Sequence, residues 1–132
     1  MKLDHLGVAV KSLDAGLRFY RDLLGLPLES VEEVPGEKVR VAMLPLGETR
    51  VELLEATAED SAIARFVAKR GEGLHHIAVR VPDLNAALAR LKTAGVRLVN
   101  EQPGIGAGGH RYVFVHPQAA GGVLVELIEE RN

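Results

Sequence analysis

Two stretches of this chain alternate apolar and small or polar positions in the same way: Leu3-Asp4-His5-Leu6-Gly7-Val8-Ala9-Val10 and Leu74-His75-His76-Ile77-Ala78-Val79-Arg80-Val81. A period of two predicts strands with one packed face and one open face. Leu6, Val8 and Val10 line the packed face of the first, Ile77, Val79 and Val81 that of the second. The opposite faces are kept small, with His5 beside Gly7 and Ala9, and His76 beside Ala78. After each strand the period becomes helical. Leu13, Leu17, Tyr20 and Leu24 behind Ser12 predict a helix over Leu13–Leu24, and Asp83 caps a second that reaches about Ala94. Each ends at a glycine, Gly25 or Gly95, suited to a helix C-terminus.

The two runs are copies of one unit. His5 falls on His76, Leu13 on Leu84 and Leu17 on Leu88 at one displacement of 71 residues. In the first copy strands follow near Leu28–Val34 and Lys38–Leu44 around a Pro35-Gly36 turn, then a turn at Leu46-Gly47-Glu48. In the second copy they lie near Val96–Asn100, Arg111–His116 and Val123–Glu129. Thr49–Leu54 and Gly122–Ile128 close the copies and align Glu52 with Glu126 at a displacement of 74. A connector helix over Ser61–Lys69 behind Asp60 separates them. The expected organisation is a single α+β domain: module one over about residues 1–57, a connector over about 58–72, and module two over about 73–132. Two such βαβββ modules side by side are expected to form one curved mixed sheet, helices on its convex side and a metal cleft within.

The chemistry follows from what interrupts the apolar pattern. Glu126 alternates with Leu124 and Ile128 on one face of its strand, and Glu52 sits in the matching place. An ionised carboxylate buried without a partner costs several kcal/mol or neutralises itself. Two such carboxylates, each echoed by a strand histidine, point to a shared divalent cation held by His5, Glu52, His76 and Glu126. A lone strand histidine is more often a hydrogen-bonded core residue, and it is the repetition that reverses this reading. His75 has no counterpart, since Asp4 stands in its place, and reads as structural. His116-Pro117 reads as a strand end.

Composition narrows the choice further. The 132 residues are 47% hydrophobic, enough for one modest core. With no cysteine, disulfides, thiolate nucleophiles and sulfur-ligated metals are excluded, so any metal has nitrogen and oxygen donors. A net charge of −2 without a basic stripe gives no support for a nucleic-acid partner, and only five residues are Phe or Tyr, too few for a base-stacking surface. No stretch approaches the roughly 20 apolar residues of a membrane span. A cytoplasmic location and a homodimer are the expectations. Gly104–Gly109 follows no strand-to-helix pattern, is no dinucleotide fingerprint, and reads as a loop at the cleft edge. Glu55, Glu59, Asp60, Glu129 and Glu130 read as surface charge.

Paired histidine–glutamate strands of this kind resemble the vicinal oxygen chelate (glyoxalase-like) superfamily over nearly the whole chain. The runs Glu52-Leu53-Leu54-Glu55, Lys69–His76, Gly106–Arg111, His116-Pro117 and Gly122–Leu127 resemble, more narrowly, the methylmalonyl-CoA epimerase family. The resemblance implies His5, His76 and Glu126 as metal ligands, with Glu52 in a fourth position where some members carry glutamine. It implies a divalent ion, cobalt ahead of nickel, manganese, magnesium or zinc, and an acyl-CoA substrate whose α-carbon is epimerised through a stabilised enolate. Glu126 is then one proton carrier. Several members have a glutamate where Val41 stands, so Glu52 becomes the candidate for the second, with Glu37 nearby but in a turn. His110 and Arg111 are candidate contacts to the substrate carboxylate or the coenzyme A phosphates. The same ligand set also suits a glyoxalase I-type lactoylglutathione lyase. A non-catalytic binding protein of the same fold is a third reading, and an extradiol dioxygenase leaves Glu52 without a role.

Overall fold

The computed structural model describes residues 1–106 and 109–130. The chain divides into two compact units, His5–His75 and Met1–Asp4 with His76–Asn132. The connector helix therefore goes with the first copy.

In the first module β1 (Lys2–Ala9) leads into α1 (Leu13–Leu17), followed by β2 (Ser30–Val34), β3 (Val39–Leu46), β4 (Thr49–Ala56) and α2 (Ala62–Arg70). Strand order is β2-β3-β4-β1, with β1 parallel to β4 and the other neighbours antiparallel. Ser12 caps α1 by accepting from Ala15 N–H, as its type and place predict. The predicted helix does not stay α-helical: Arg18–Leu23 is a π-helical turn, with Leu24 N–H bonded to Phe19 C=O at 2.8 Å. Tyr20 packs on the core, while Phe19 and Leu23 are exposed.

This sheet is covered on both faces. Val10, Leu13, Leu17, Leu44 and Leu53 form the cluster beneath α1. Gly16 permits that close approach, because a Cβ there would stand 2.9 Å from Leu53 Cδ1. On the other face, Ile63, Phe66 and Val67 of α2 pack against Ala9, Val39, Val41 and Leu54. The expectation of helices on one side alone is thus corrected in this module. The apolar stripe of α2 needs cover, and the small, apolar end of the histidine face provides it. Ser61, rather than Asp60, caps α2 by accepting from Ala64 N–H at 3.0 Å, while Asp60 pairs with Lys38.

The second module repeats the plan with β5 (Gly73–Val81), α3 (Leu84–Thr93), β6 (Gly104–Ile105), β7 (Arg111–Val115) and β8 (Leu124–Glu129), in the order β5-β8-β7-β6. Asp83 caps α3 through Ala86 N–H. Val81, Leu84, Leu88 and Val113 form the core beneath α3. The strand expected over Val96–Asn100 is reduced to an isolated bridge, Leu98 with Val115. Asn100 takes Phe114 N–H with its side chain at 2.7 Å and so interrupts a regular ladder. The loop expectation over Gly104–Gly109 is corrected in part, since Gly104 and Ile105 pair with Tyr112 and Arg111; residues 107 and 108 lie outside the described residues. Among the described residues no helix is long and apolar enough to cross a membrane.

Two substitutions test this packing. Gly16→Ala gains about 1 kcal/mol of helix propensity but forces a methyl onto the fully buried Leu53, an overpacking cost of about 1–3 kcal/mol; urea denaturation is expected to show net destabilisation. Leu84→Ala, at a wholly buried position, is expected to cost about 2–5 kcal/mol.

Candidate metal centre

In the first module the parallel pairing of β1 and β4 sets Gly7 opposite Glu52 and Ala9 opposite Leu54. Residues directly opposite share a face, so His5, two before Gly7, lies diagonally beside Glu52. His5 Nδ1 is 3.4 Å from Glu52 Oε2, and both residues are buried. Gly7 has no side chain to stand in the way. Arg50, two residues before Glu52 and on the same face, donates from Nε to that same oxygen at 2.7 Å.

The second module reproduces the register. Ala78 stands opposite Glu126 and His76 opposite Leu124, so histidine and glutamate are again diagonal neighbours across a small residue. His76 Nε2 lies 3.9 Å from Glu126 Oε1. Phe114, opposite Glu126 on β7, presents its ring edge-on to His76 with centroids 6.3 Å apart. Tyr112 stacks edge-on to Phe114 at 5.6 Å, and its ring lies over Gly104. An aromatic wall thus borders this pair.

These donors suit a hard or borderline divalent cation. Each module offers one imidazole nitrogen and one carboxylate oxygen, the set that divalent transition metals accept when no thiolate is present. The 3.4 and 3.9 Å separations exceed the usual N–H···O range of about 2.7–3.2 Å. Two donors about 2.1 Å from one ion stand roughly 3–3.5 Å apart, so the first pair fits such sharing closely and the second needs a small side-chain adjustment.

Other sequence candidates fall elsewhere. Arg111 is on the face of β7 with Val113 and Val115, opposite to Phe114 and Glu126. Its guanidinium donates to both carboxylate oxygens of Glu129, at 3.1 and 2.8 Å, and to Asn85 Oδ1 at 3.0 Å. The Glu129 partnership holds its pKa above the ordinary value. These contacts hold Arg111 on the side of the sheet away from Glu126. The ring of His110 bonds the Glu129 carbonyl at 3.1 Å, a structural contact. Glu55, expected on the surface, accepts from Leu13 N–H at 2.8 Å and anchors the start of α1. His116 caps the 3₁₀ turn Pro117–Ala120 by accepting from Gln118 N–H. His75 packs edge-on to Phe66, where burial first and Arg70 second lower its pKa. Val41 belongs to the apolar cluster under α2, and Glu37 sits exposed in the turn after β2. Sequence reasoning missed Arg50 and Phe114. Strand alternation alone places Arg50 on the face of Glu52, and Phe114 on the face of Glu126 once the β7–β8 register is known.

Comparison with known proteins places this arrangement in a family. The model of the Glyoxalase/Bleomycin resistance protein/Dioxygenase superfamily matches residues 4–114. The ethylmalonyl-CoA/methylmalonyl-CoA epimerase of Cereibacter sphaeroides is 40% identical over 96% of this chain and 96% of its own length. The mitochondrial methylmalonyl-CoA epimerase of Homo sapiens is 39% identical over 96% of this chain and 72% of its own length. Among solved structures, the Streptomyces coelicolor methylmalonyl-CoA epimerase in complex with 2-nitronate-propionyl-CoA is 39% identical, with a TM-score of 0.88 over 98% of this chain and 94% of that one. The chain belongs to the glyoxalase/bleomycin resistance protein/dioxygenase superfamily and, within it, to the methylmalonyl-CoA epimerase family.

Proposed function

We propose that this chain interconverts the (2R) and (2S) forms of methylmalonyl-CoA, using one divalent ion held by His5, Glu52, His76 and Glu126. The observation that carries the reading is the repeated imidazole–carboxylate pair, set in one register in both modules, in a chain so similar to epimerases of this name. Duplication supports a single shared ion, because each pair by itself supplies only half of a four-donor shell.

The α-hydrogen of the substrate lies between a thioester and a carboxylate. Its removal places negative charge on the thioester oxygen, and a divalent ion would supply the Lewis acidity that stabilises this charge. The side chains supply the proton movement. Glu126 is flanked on its own face by Leu124 and Ile128 and faced by Phe114, surroundings that keep bulk water from competing for the proton. Glu52 differs. Its Oε2 is already held by Arg50, which fixes the carboxylate in place. Inversion also needs a proton delivered to the opposite face of the α-carbon, and Glu52, from the other module, is the candidate carrier for it. Cobalt is the ion we select, on the family's resemblance and the nitrogen–oxygen donor set.

A second reading, that ethylmalonyl-CoA is also accepted, is favoured by the name of the Cereibacter sphaeroides relative.

In deuterated water the Co(II)-loaded protein is expected to exchange the α-proton of methylmalonyl-CoA, followed by mass spectrometry. Absence of exchange together with turnover of the methylglyoxal–glutathione adduct rejects the proposal. Glu126→Gln is expected to lower the exchange rate by about 10²–10⁴-fold, the usual worth of a positioned acid–base group. Exhaustive chelation should abolish exchange and added Co(II) restore it, whereas undiminished activity in the metal-free protein rules out a resident ion.

A further inference from the structure

Arg50 has no counterpart in the second module. At the displacement that carries Glu52 onto Glu126, Arg50 falls on Leu124, which has no donor to offer. The duplication therefore does not account for the hydrogen bond from Arg50 Nε to Glu52 Oε2 at 2.7 Å. The pair is partly sheltered: the Glu52 side chain is 9% exposed and that of Arg50 32%. The same oxygen lies 3.4 Å from His5 Nδ1, so Arg50 bears directly on the donor atoms of the first module.

Charge makes this significant. Two neutral imidazoles, two carboxylates and a divalent ion form a neutral shell. Such a shell would add no net charge beyond the contact of the ion itself with the oxygen on which charge develops. Arg50 adds a positive charge directly beside the carboxylate of Glu52. Resting on the function proposed above, we infer that Arg50 is a positioning residue that acts through Glu52. It fixes the carboxylate and draws off part of its charge, so that a divalent ion held by Glu52 would keep more of its Lewis acidity. The gain in reactivity comes with weaker hold on the ion, because Arg50 competes for Glu52 and repels a cation.

This predicts effects of opposite sign. Arg50→Gln is expected to bind Co(II) more tightly, by about fivefold, the scale of a lost half-exposed ion pair. Its kcat/KM for α-proton exchange with methylmalonyl-CoA should fall on the order of tenfold, less than the loss of a direct oxyanion donor. Arg50→Lys keeps the charge and a donor and should move both quantities back toward wild type. In a Glu52→Gln background, Arg50→Gln should no longer change Co(II) affinity, since it acts through that carboxylate. Co(II) affinity is read by the visible absorption of the bound ion, and the fold by circular dichroism. Weaker Co(II) binding by Arg50→Gln, with exchange falling in parallel, would mean mere structural support and overturns the inference, as does unchanged exchange. Wild-type protein that binds Co(II) but exchanges no α-proton overturns the proposed function instead, and the sign of the affinity change then decides for or against Arg50 as a competitor for Glu52.

Discussion

An ionised carboxylate set inside an apolar sheet must be compensated, and this constraint governs the fold as much as the chemistry. Stripping such a group of water costs several kcal/mol, more than most single contacts return. Both modules set the carboxylate in the same surroundings: a histidine on the neighbouring parallel strand, displaced by two residues, with a residue no larger than alanine directly across from the glutamate. Gly7 and Ala78 are therefore part of the site although they carry no functional group. A larger side chain at either place would stand where imidazole and carboxylate approach one another. The parallel pairing of the first and last strand in each module is what sets that diagonal, and it requires the long crossover through a helix and two further strands.

The two copies have diverged around this shared frame. In the first, α2 lies on the histidine face over Ala9, Val41 and Leu54, and Arg50 takes up one oxygen of Glu52. In the second, the equivalent surroundings of the pair are Leu124, Phe114 and Tyr112. One carboxylate is thus anchored by a guanidinium and the other bordered by aromatic and aliphatic groups. Like residues in unlike settings can divide labour. Val41 fits the same account. It provides an apolar contact for Ile63 and the rest of α2 on the histidine face.

Most of this was legible in the amino-acid order because strand geometry has a rigid period. Alternation placed His5 with Gly7 and His76 with Ala78, and a constant displacement identified the helices and their caps at Ser12 and Asp83. The same parity puts Arg111 on the helix side with Val113. Other features depend on contacts that alternation does not encode. Nothing in the apolar stripe of α2 says which sheet face it covers. The π-helical turn at Arg18–Leu23 depends on how Tyr20 reaches the core while Phe19 stays outside. The Val96–Asn100 segment has strand-like composition, yet Asn100 spends its side chain on Phe114 N–H and breaks the ladder. Which oxygen of Glu52 Arg50 would take is likewise a matter of rotamers.

The proposed function requires two separately encoded pairs to serve one ion. Counting Co(II) bound per chain at saturation, by titration of the metal-free protein, tests it most directly. The account predicts one ion per chain, lost when either His5 or His76 is replaced by alanine. Two ions per chain, or full binding that survives either replacement, would contradict it.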